Sequence, residues 1–222
     1  MIKKESYRHN LPHYQLPGQA YLVTWSLKDA IPSKAFKRYT QEFALLKNQM
    51  EFHKNQKSDK SIIDEIRKTY FSTRKKYIKV YDELLDTDCN PKINLCEPEK
   101  LIILKEALHF WGNKKLTNYA FSIMPNHIHW VFCLFEKDEF GKAVYLQDIL
   151  HSVKRFSSNK INKLENRTGT LWQKESFDTT IRDEKHMYNA IIYTLNNPVS
   201  AGLASNWNNW DGTWCKPGCG DF

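Results

Sequence analysis

The sequence predicts an α+β fold in which a ferredoxin-like antiparallel sheet carries helices on one face. Stretches rich in β-branched and aromatic residues alternate with longer stretches of helical periodicity. Residues 34–87 are helical in character and interrupt this alternation. Without that insertion the order is strand, helix, strand, strand, helix, strand, which is typical of a ferredoxin-like sheet.

The strands are predicted from their composition and from the turn residues that bound them. They are expected at 20–27, 116–124, 127–135 and 177–181, with a further short extended piece at 170–172. The pair Pro125-Asn126 supplies the turn between the second and third strands. Residues 1–18 are polar and are predicted to form an arm.

Helices are predicted where apolar residues recur every three or four positions. The insertion is expected to form two helices joined by a polar turn at 55–61, and further helices are expected at 97–111, 145–164 and 183–197. The last helix is expected to end at Asn197-Pro198, because proline cannot continue the backbone hydrogen bonding. The insertion holds 13 Lys and Arg against 8 Asp and Glu residues, which favours a solvated amphipathic pair over contact with DNA.

The composition indicates a basic, aromatic-rich globular protein. Of 222 residues, 33 are Lys or Arg and 25 are Asp or Glu, which gives a net charge of +8. Aromatic residues make up 14%, which argues against a disordered chain, and no apolar run reaches the ~18 residues of a membrane helix. We expect a single domain with a core at about 7–33 and 88–205, the insertion at 34–87 and a C-terminal tail at 206–222.

His127 and His129 lie two positions apart on a predicted strand. Side chains alternate between the faces of a strand, so both imidazoles project from the same face and suit one divalent metal. The pair alone is equally compatible with two partly buried structural histidines. Neither a zinc-protease H-E-x-x-H motif nor a phosphate-binding G-x-x-x-x-G-K-[ST] loop is present.

Tyr193 and Asn197 lie four residues apart on the last predicted helix and therefore share one face. A tyrosine hydroxyl can act as a nucleophile when its surroundings help it to lose its proton. The amide oxygen of Asn197, one turn away, can complete a metal site. Amphipathic helices also bury tyrosines as ordinary core residues, so this pattern leaves both interpretations open.

Together these segments resemble the insertion-sequence-200-like transposases, which are single-tyrosine HUH endonucleases (His, hydrophobic, His). Residues 121–129, Phe-Ser-Ile-Met-Pro-Asn-His-Ile-His, resemble the family's M-P-N-H-V-H signature. Residues 193–203 match Y-x-x-x-N-P-V-x-A-G-L, which is typical of the branch called REP-associated tyrosine transposases. Further similar segments are 11–24, Lys154-Arg155-Phe156-Ser157, Leu171-Trp172-Gln173, Asp178 and Ile181-Arg182-Asp183.

This resemblance implies the HUH endonuclease fold and a metal-assisted reaction on single-stranded DNA next to hairpins. His127, His129 and Asn197 would hold Mg²⁺ or Mn²⁺, and Tyr193 would attack the phosphate to form a 5′-phosphotyrosine and free a 3′-hydroxyl. The substrate would be DNA with palindromic hairpin elements, and the protein would act as a monomer or a homodimer. A domesticated hairpin-binding protein with little nicking activity, and a hydrolase of small phosphoesters that uses the His pair alone, are the alternatives.

Basic residues near these motifs are the candidates for DNA contact, because single-stranded DNA needs a basic groove and flat side chains for stacking. The four candidates are Lys154, Arg155, Lys174 and Arg182. The start of the chain has no apolar segment typical of a secretory signal, and its five cysteines are an odd number, so we expect a cytoplasmic protein with reduced thiols. Cys215-x-x-x-Cys219 is compatible with structural zinc, but no second ligand pair follows.

Overall fold

The computed structural model describes residues 6–8, 12–14, 16–31, 59–87 and 92–220, together with parts of 41–56. Its strands are β1 (Ser6–Arg8), β2 (Pro12–Tyr14), β3 (Ala20–Ser26), β4 (Leu116–Ile123), β5 (His127–Leu134), β6 (Phe177–Thr180) and β7 (Thr213–Cys215). Its helices are α1 (Lys60–Thr87), α2 (Pro98–His109), α3 (Leu146–Leu164), α4 (Glu184–Ser200) and a 3₁₀ turn at Trp207–Asn209. These bounds agree with most of the predicted elements to within two residues.

Five strands form an antiparallel sheet in the order β6-β3-β5-β4-β7. The four core strands are β3, β4, β5 and β6. Counted along the chain, they lie in the sheet in the order fourth, first, third, second. Each helix between core strands, α2 or α3, joins two strands that a third one separates, which is the split βαβ arrangement of a ferredoxin-like fold. The predicted α+β fold class is confirmed.

The two faces of the sheet bury different sets of residues. In β5, Ile128, Trp130 and Phe132 belong to the large core that also includes α2 and α3, as the period of two in a strand requires. Val131, on the other face, packs in a smaller cluster with Ile191 and Leu195 of α4. The prediction of helices on one face holds for α2 and α3 but not for α4, whose apolar residues cover the opposite face.

One predicted boundary is wrong, and two segments contain short strands that the sequence did not predict. Helix α4 continues through Pro198 to Ser200, because the fixed φ of proline fits a helix and the helix loses only the one hydrogen bond that Pro198 cannot donate. The tail at 206–222 contains β7, whose Trp214 stacks on Phe121 of β4 at 5.5 Å between ring centroids. The arm at 1–18 contains the antiparallel pair β1 and β2. Strands of three residues are too short to show an alternating pattern in the sequence.

The insertion packs against the core through its long helix α1. Tyr77 and Tyr81 are buried and contact Phe177 of β6, with ring centroids 5.4 and 4.4 Å apart. The Tyr81 hydroxyl lies 2.7 Å from Ser26 Oγ at the end of β3. The described parts of 41–55 are helical, in agreement with the first predicted helix, whereas 34–40 lies outside the described residues. Among the helices that are described, none combines the length and the apolar composition needed to cross a membrane.

Candidate active site

The two histidines of the H-x-H pattern are fixed side by side on the central strand of the sheet. β5 pairs with β3 on one side and with β4 on the other, so its backbone is held along both edges. His127 and His129 project from the face that α4 covers, and they are 1% and 0% exposed. Their Nε2 atoms are 2.9 Å apart. The structure thus brings the predicted pair together with the two nitrogens facing one another.

Outer hydrogen bonds set which nitrogen of each imidazole is available. Asn126 Nδ2 donates to the carbonyl oxygen of Leu85 at 2.9 Å, so Asn126 Oδ1 is the atom that faces His127 Nδ1, at 2.6 Å. An amide oxygen can only accept, so His127 Nδ1 carries the proton and His127 Nε2 keeps its lone pair. His129 Nδ1 lies 2.8 Å from Thr24 Oγ1, and a hydroxyl can serve either tautomer. Both Nε2 atoms can therefore present lone pairs to one ion.

Burial keeps both imidazoles neutral. It lowers the pKa of His129 to about 3, and the nearby Asn197 opposes this shift only in part. Burial also lowers the pKa of His127 well below its usual value, and the neighbouring His129 lowers it further. A neutral imidazole is the form that binds a metal.

Tyr193 and Asn197 reach the histidines from α4. The Tyr193 ring meets the His129 ring edge to face, with centroids 5.4 Å apart, and Tyr193 keeps 38% of its surface exposed. Asn197 is buried, and its Oδ1 has no hydrogen-bond partner among the described residues. Tyr188 lies on the same helix but lines a separate groove with Arg182. Of the two tyrosines of α4, Tyr193 is the one beside the histidines.

The insertion helix adds two carboxylates that the sequence analysis missed. The Tyr193 hydroxyl donates to Asp82 Oδ2 at 2.7 Å, and Asp86 Oδ1 lies 4.0 Å from His127 Nε2. Burial, then Asp82 and Asp86, raise the pKa of Tyr193 above its usual value. The signal available in the sequence is weak: two acids four residues apart in a basic helix, beside the buried stripe of Tyr77, Tyr81 and Leu85.

The donor set fits a divalent ion. Two ligands about 2.1 Å from a metal and at right angles to each other lie about 3.0 Å apart, close to the 2.9 Å between the histidine nitrogens. The buried oxygen of Asn197 is a third donor. Among the described residues no three His, Cys, Asp or Glu side chains form a complete metal site, and Cys215 and Cys219 are free thiols. An ion here would therefore also need water or phosphate oxygens.

Three of the four predicted DNA contacts line one groove. Lys154 and Arg155 of α3 face Lys174 across a cavity of about 650 Å³ that Trp172 also lines. Leu27, which follows β3, pairs with Trp172, and Ser26 pairs with His127, so the groove lies at the same end of the sheet as the histidines. Arg182 is exposed and lies apart from the other three, in the groove that Tyr188 lines.

Comparison with known proteins gives a partial sequence match and a broader structural one. No protein-family model matches the chain. A Haemophilus influenzae protein named "Putative REP-associated tyrosine transposase" is 26% identical over 98 residues, which are 41% of this chain and 54% of that protein. The chain thus spans about half the length of this relative.

A solved structure of a REP-associated tyrosine transposase bound to a REP hairpin superposes with a TM-score of 0.52. The superposition covers 93% of this chain and 80% of the other, at 13% identity, and it supports the fold. Both comparisons agree with the resemblance drawn from the motifs. The chain is similar to REP-associated tyrosine transposases, in sequence over part of its length and in fold over most of it.

Proposed function

We propose that this protein is a single-tyrosine endonuclease and transposase that cuts and rejoins single-stranded DNA beside hairpins. The observation that carries the proposal is the placement of Tyr193 and Asn197 beside the paired Nε2 atoms of His127 and His129. The alternative, a small-phosphoester hydrolase that uses the His pair alone, does not explain why Tyr193 lies beside His129.

In this function the residues divide the work. His127, His129 and Asn197 would hold Mg²⁺ or Mn²⁺, which when bound acts as a Lewis acid on the scissile phosphate. The exposed face of Tyr193 admits the phosphate, and its hydroxyl oxygen forms the new bond to phosphorus while the bond to the 3′-oxygen breaks. The phosphotyrosine conserves the phosphodiester bond, so rejoining needs no nucleotide cofactor.

The groove of Lys154, Arg155 and Lys174 is the proposed path of the DNA strand toward this site. It brings three positively charged side chains to one cavity, which suits the phosphate backbone of a nucleic-acid strand. Arg182 lies in another groove, so any contact it makes would be with a different part of the DNA.

The test is covalent capture of a labelled single-stranded hairpin oligonucleotide in the presence of Mg²⁺ or Mn²⁺. We expect the native chain to form an adduct that survives denaturation, and Tyr193→Phe to bind the hairpin without forming one. Tyr188→Phe is the matched control and should form the adduct normally. Binding without an adduct by the native chain would indicate the domesticated hairpin-binding protein instead, and absence of both would contradict the proposal.

A further inference from the structure

We propose that Asp82, on the insertion helix α1, accepts the proton of the Tyr193 hydroxyl as that oxygen attacks the scissile phosphate. This inference rests on the proposed function and adds a residue that its motifs do not contain. It gives the insertion a part in the chemistry, where the sequence favours only a solvated helical pair.

The contact is direct and its geometry suits proton transfer. The Tyr193 hydroxyl donates to Asp82 Oδ2 at 2.7 Å, which is within the range required of a general base. The other carboxylate oxygen, Asp82 Oδ1, is buried with no hydrogen-bond partner among the described residues. Within that part of the chain, Tyr193 is therefore the hydrogen-bond donor that determines where this carboxylate points.

The helix that carries Asp82 is anchored on both sides of it. One residue before, the Tyr81 hydroxyl lies 2.7 Å from Ser26 Oγ and its ring packs on Phe177. Three residues after, the carbonyl of Leu85 accepts from Asn126 at 2.9 Å. These contacts tie α1 to the strand end that presents the histidines, so Asp82 is held by the scaffold of the site itself.

Other candidate bases in the site are less well placed. The Nε2 atoms of His127 and His129 face each other, and in the proposed function both are metal ligands. Asp86 is directed toward His127, at 4.0 Å. Burial, with the charges of Asp86 and Glu83, raises the pKa of Asp82 to about 7, although the bond from Tyr193 opposes the shift. A base of near-neutral pKa is well matched to proton transfer at neutral pH.

The step balances as follows. The Tyr193 oxygen forms a bond to phosphorus, and its proton passes to Asp82 Oδ2. The bond between phosphorus and the 3′-oxygen breaks, the electron pair stays on that oxygen, and it takes a proton from solvent. Rejoining reverses each transfer, so protonated Asp82 returns its proton to the departing tyrosine oxygen.

The experiment compares Asp82→Asn with Asp64→Asn, which makes the same change on an exposed residue of α1. Asparagine keeps the size of the side chain and can still accept the tyrosine hydrogen bond, but it cannot take the proton. We expect Asp82→Asn to slow adduct formation by about 10²- to 10⁴-fold with hairpin affinity and circular dichroism unchanged. Asp64→Asn should react at the native rate.

A second measurement separates a base from a structural tether. Replacing Tyr193 by 3,5-difluorotyrosine makes the phenol more acidic and so less dependent on a base. The rate lost on Asp82→Asn should then shrink at least tenfold, whereas a tether would leave the loss unchanged. If the native chain forms adduct and Asp82→Asn forms it as fast or faster, Asp82 is not the base. If the native chain forms none, the proposed function fails instead.

Discussion

Asn126 fixes the tautomer of His127, and Thr24 holds the ring of His129 through a hydrogen bond at Nδ1. We predict that Asn126→Ala and Thr24→Val each lower Mn²⁺ affinity about 10- to 100-fold, the usual effect of losing an outer partner of a ligating histidine. The measurement is electron paramagnetic resonance of free Mn²⁺ in titrations without DNA.

The control for this prediction is Thr117→Val, which makes the same change on β4 at the far end of the sheet, where Thr117 pairs with Cys133. It should bind Mn²⁺ like the native chain. Equal affinities in all four proteins would show that the imidazoles are not metal ligands oriented by these hydrogen bonds.

Among individual residues, the sequence identifies those that lie close along the chain or belong to known motifs. His127 and His129 share a strand face, and Tyr193 and Asn197 share a helix face, so local periodicity and the family resemblance select all four. The structure brings them together, and their roles remain predictions. Asp82 lies 111 positions from Tyr193, and no periodic pattern links a residue of the insertion to one of α4.

Among the elements, α3 offers a test of DNA contact, because the pKa of its Lys154 is lowered. Burial lowers the pKa of Lys154 to about 8, and the charge of Glu175 only partly opposes this shift. Lys154 is thus charged at pH 7 and mostly neutral at pH 9. If it contacts DNA, hairpin affinity should fall about tenfold between these values, because a hydrogen bond to a charged group is worth about 1.5 kcal/mol.

Lys154→Arg is the matched variant, because arginine stays charged throughout this range. Its hairpin affinity, measured by fluorescence anisotropy at constant ionic strength, should change little from pH 7 to pH 9. A native chain whose affinity is equally flat would place the ammonium group of Lys154 outside the DNA contact.

The edge strand β7 allows a test of whether the C-terminal segment belongs to the folded unit. Trp214 of β7 stacks on Phe121 and meets His109 edge to face at 4.7 Å. Because Trp214 is half-buried, Trp214→Ala should lower the free energy of unfolding by about 2 kcal/mol, less than the 3–5 kcal/mol of a fully buried tryptophan. Urea unfolding measures this, with the exposed Phe140→Ala as a control expected to change it by less than ~0.5 kcal/mol.

The elements were predicted where they are long and bounded by strong turn signals, as at Pro125-Asn126. The face of the sheet that α4 covers was not predicted. The element order of a ferredoxin-like core specifies the face on which its two crossover helices lie, but a later helix can cover either face of the sheet. The apolar stripe of α1 indicates a buried face in the same way, but not the surface on which it packs.

For the whole molecule, the question is whether DNA binding follows from the net charge of +8 or from charge placed at one end of the sheet. For a single strand, the slope of log affinity against log salt concentration is about −0.7 for each phosphate contact. If Lys154, Arg155 and Lys174 make three contacts, changing all three to Gln should lower the slope of log affinity against log salt by about 2.

A charge-matched triple variant separates the two explanations. Lys114, Lys137 and Lys142 are exposed and lie near the end of the sheet opposite His127, because they flank the start of β4 and the end of β5. Changing them to Gln removes the same charge, and we expect the native salt slope and the native preference for a single-stranded hairpin over a blunt duplex. Equal losses in both triple variants, measured by anisotropy over a salt series, would mean that overall charge and not the groove attracts the DNA.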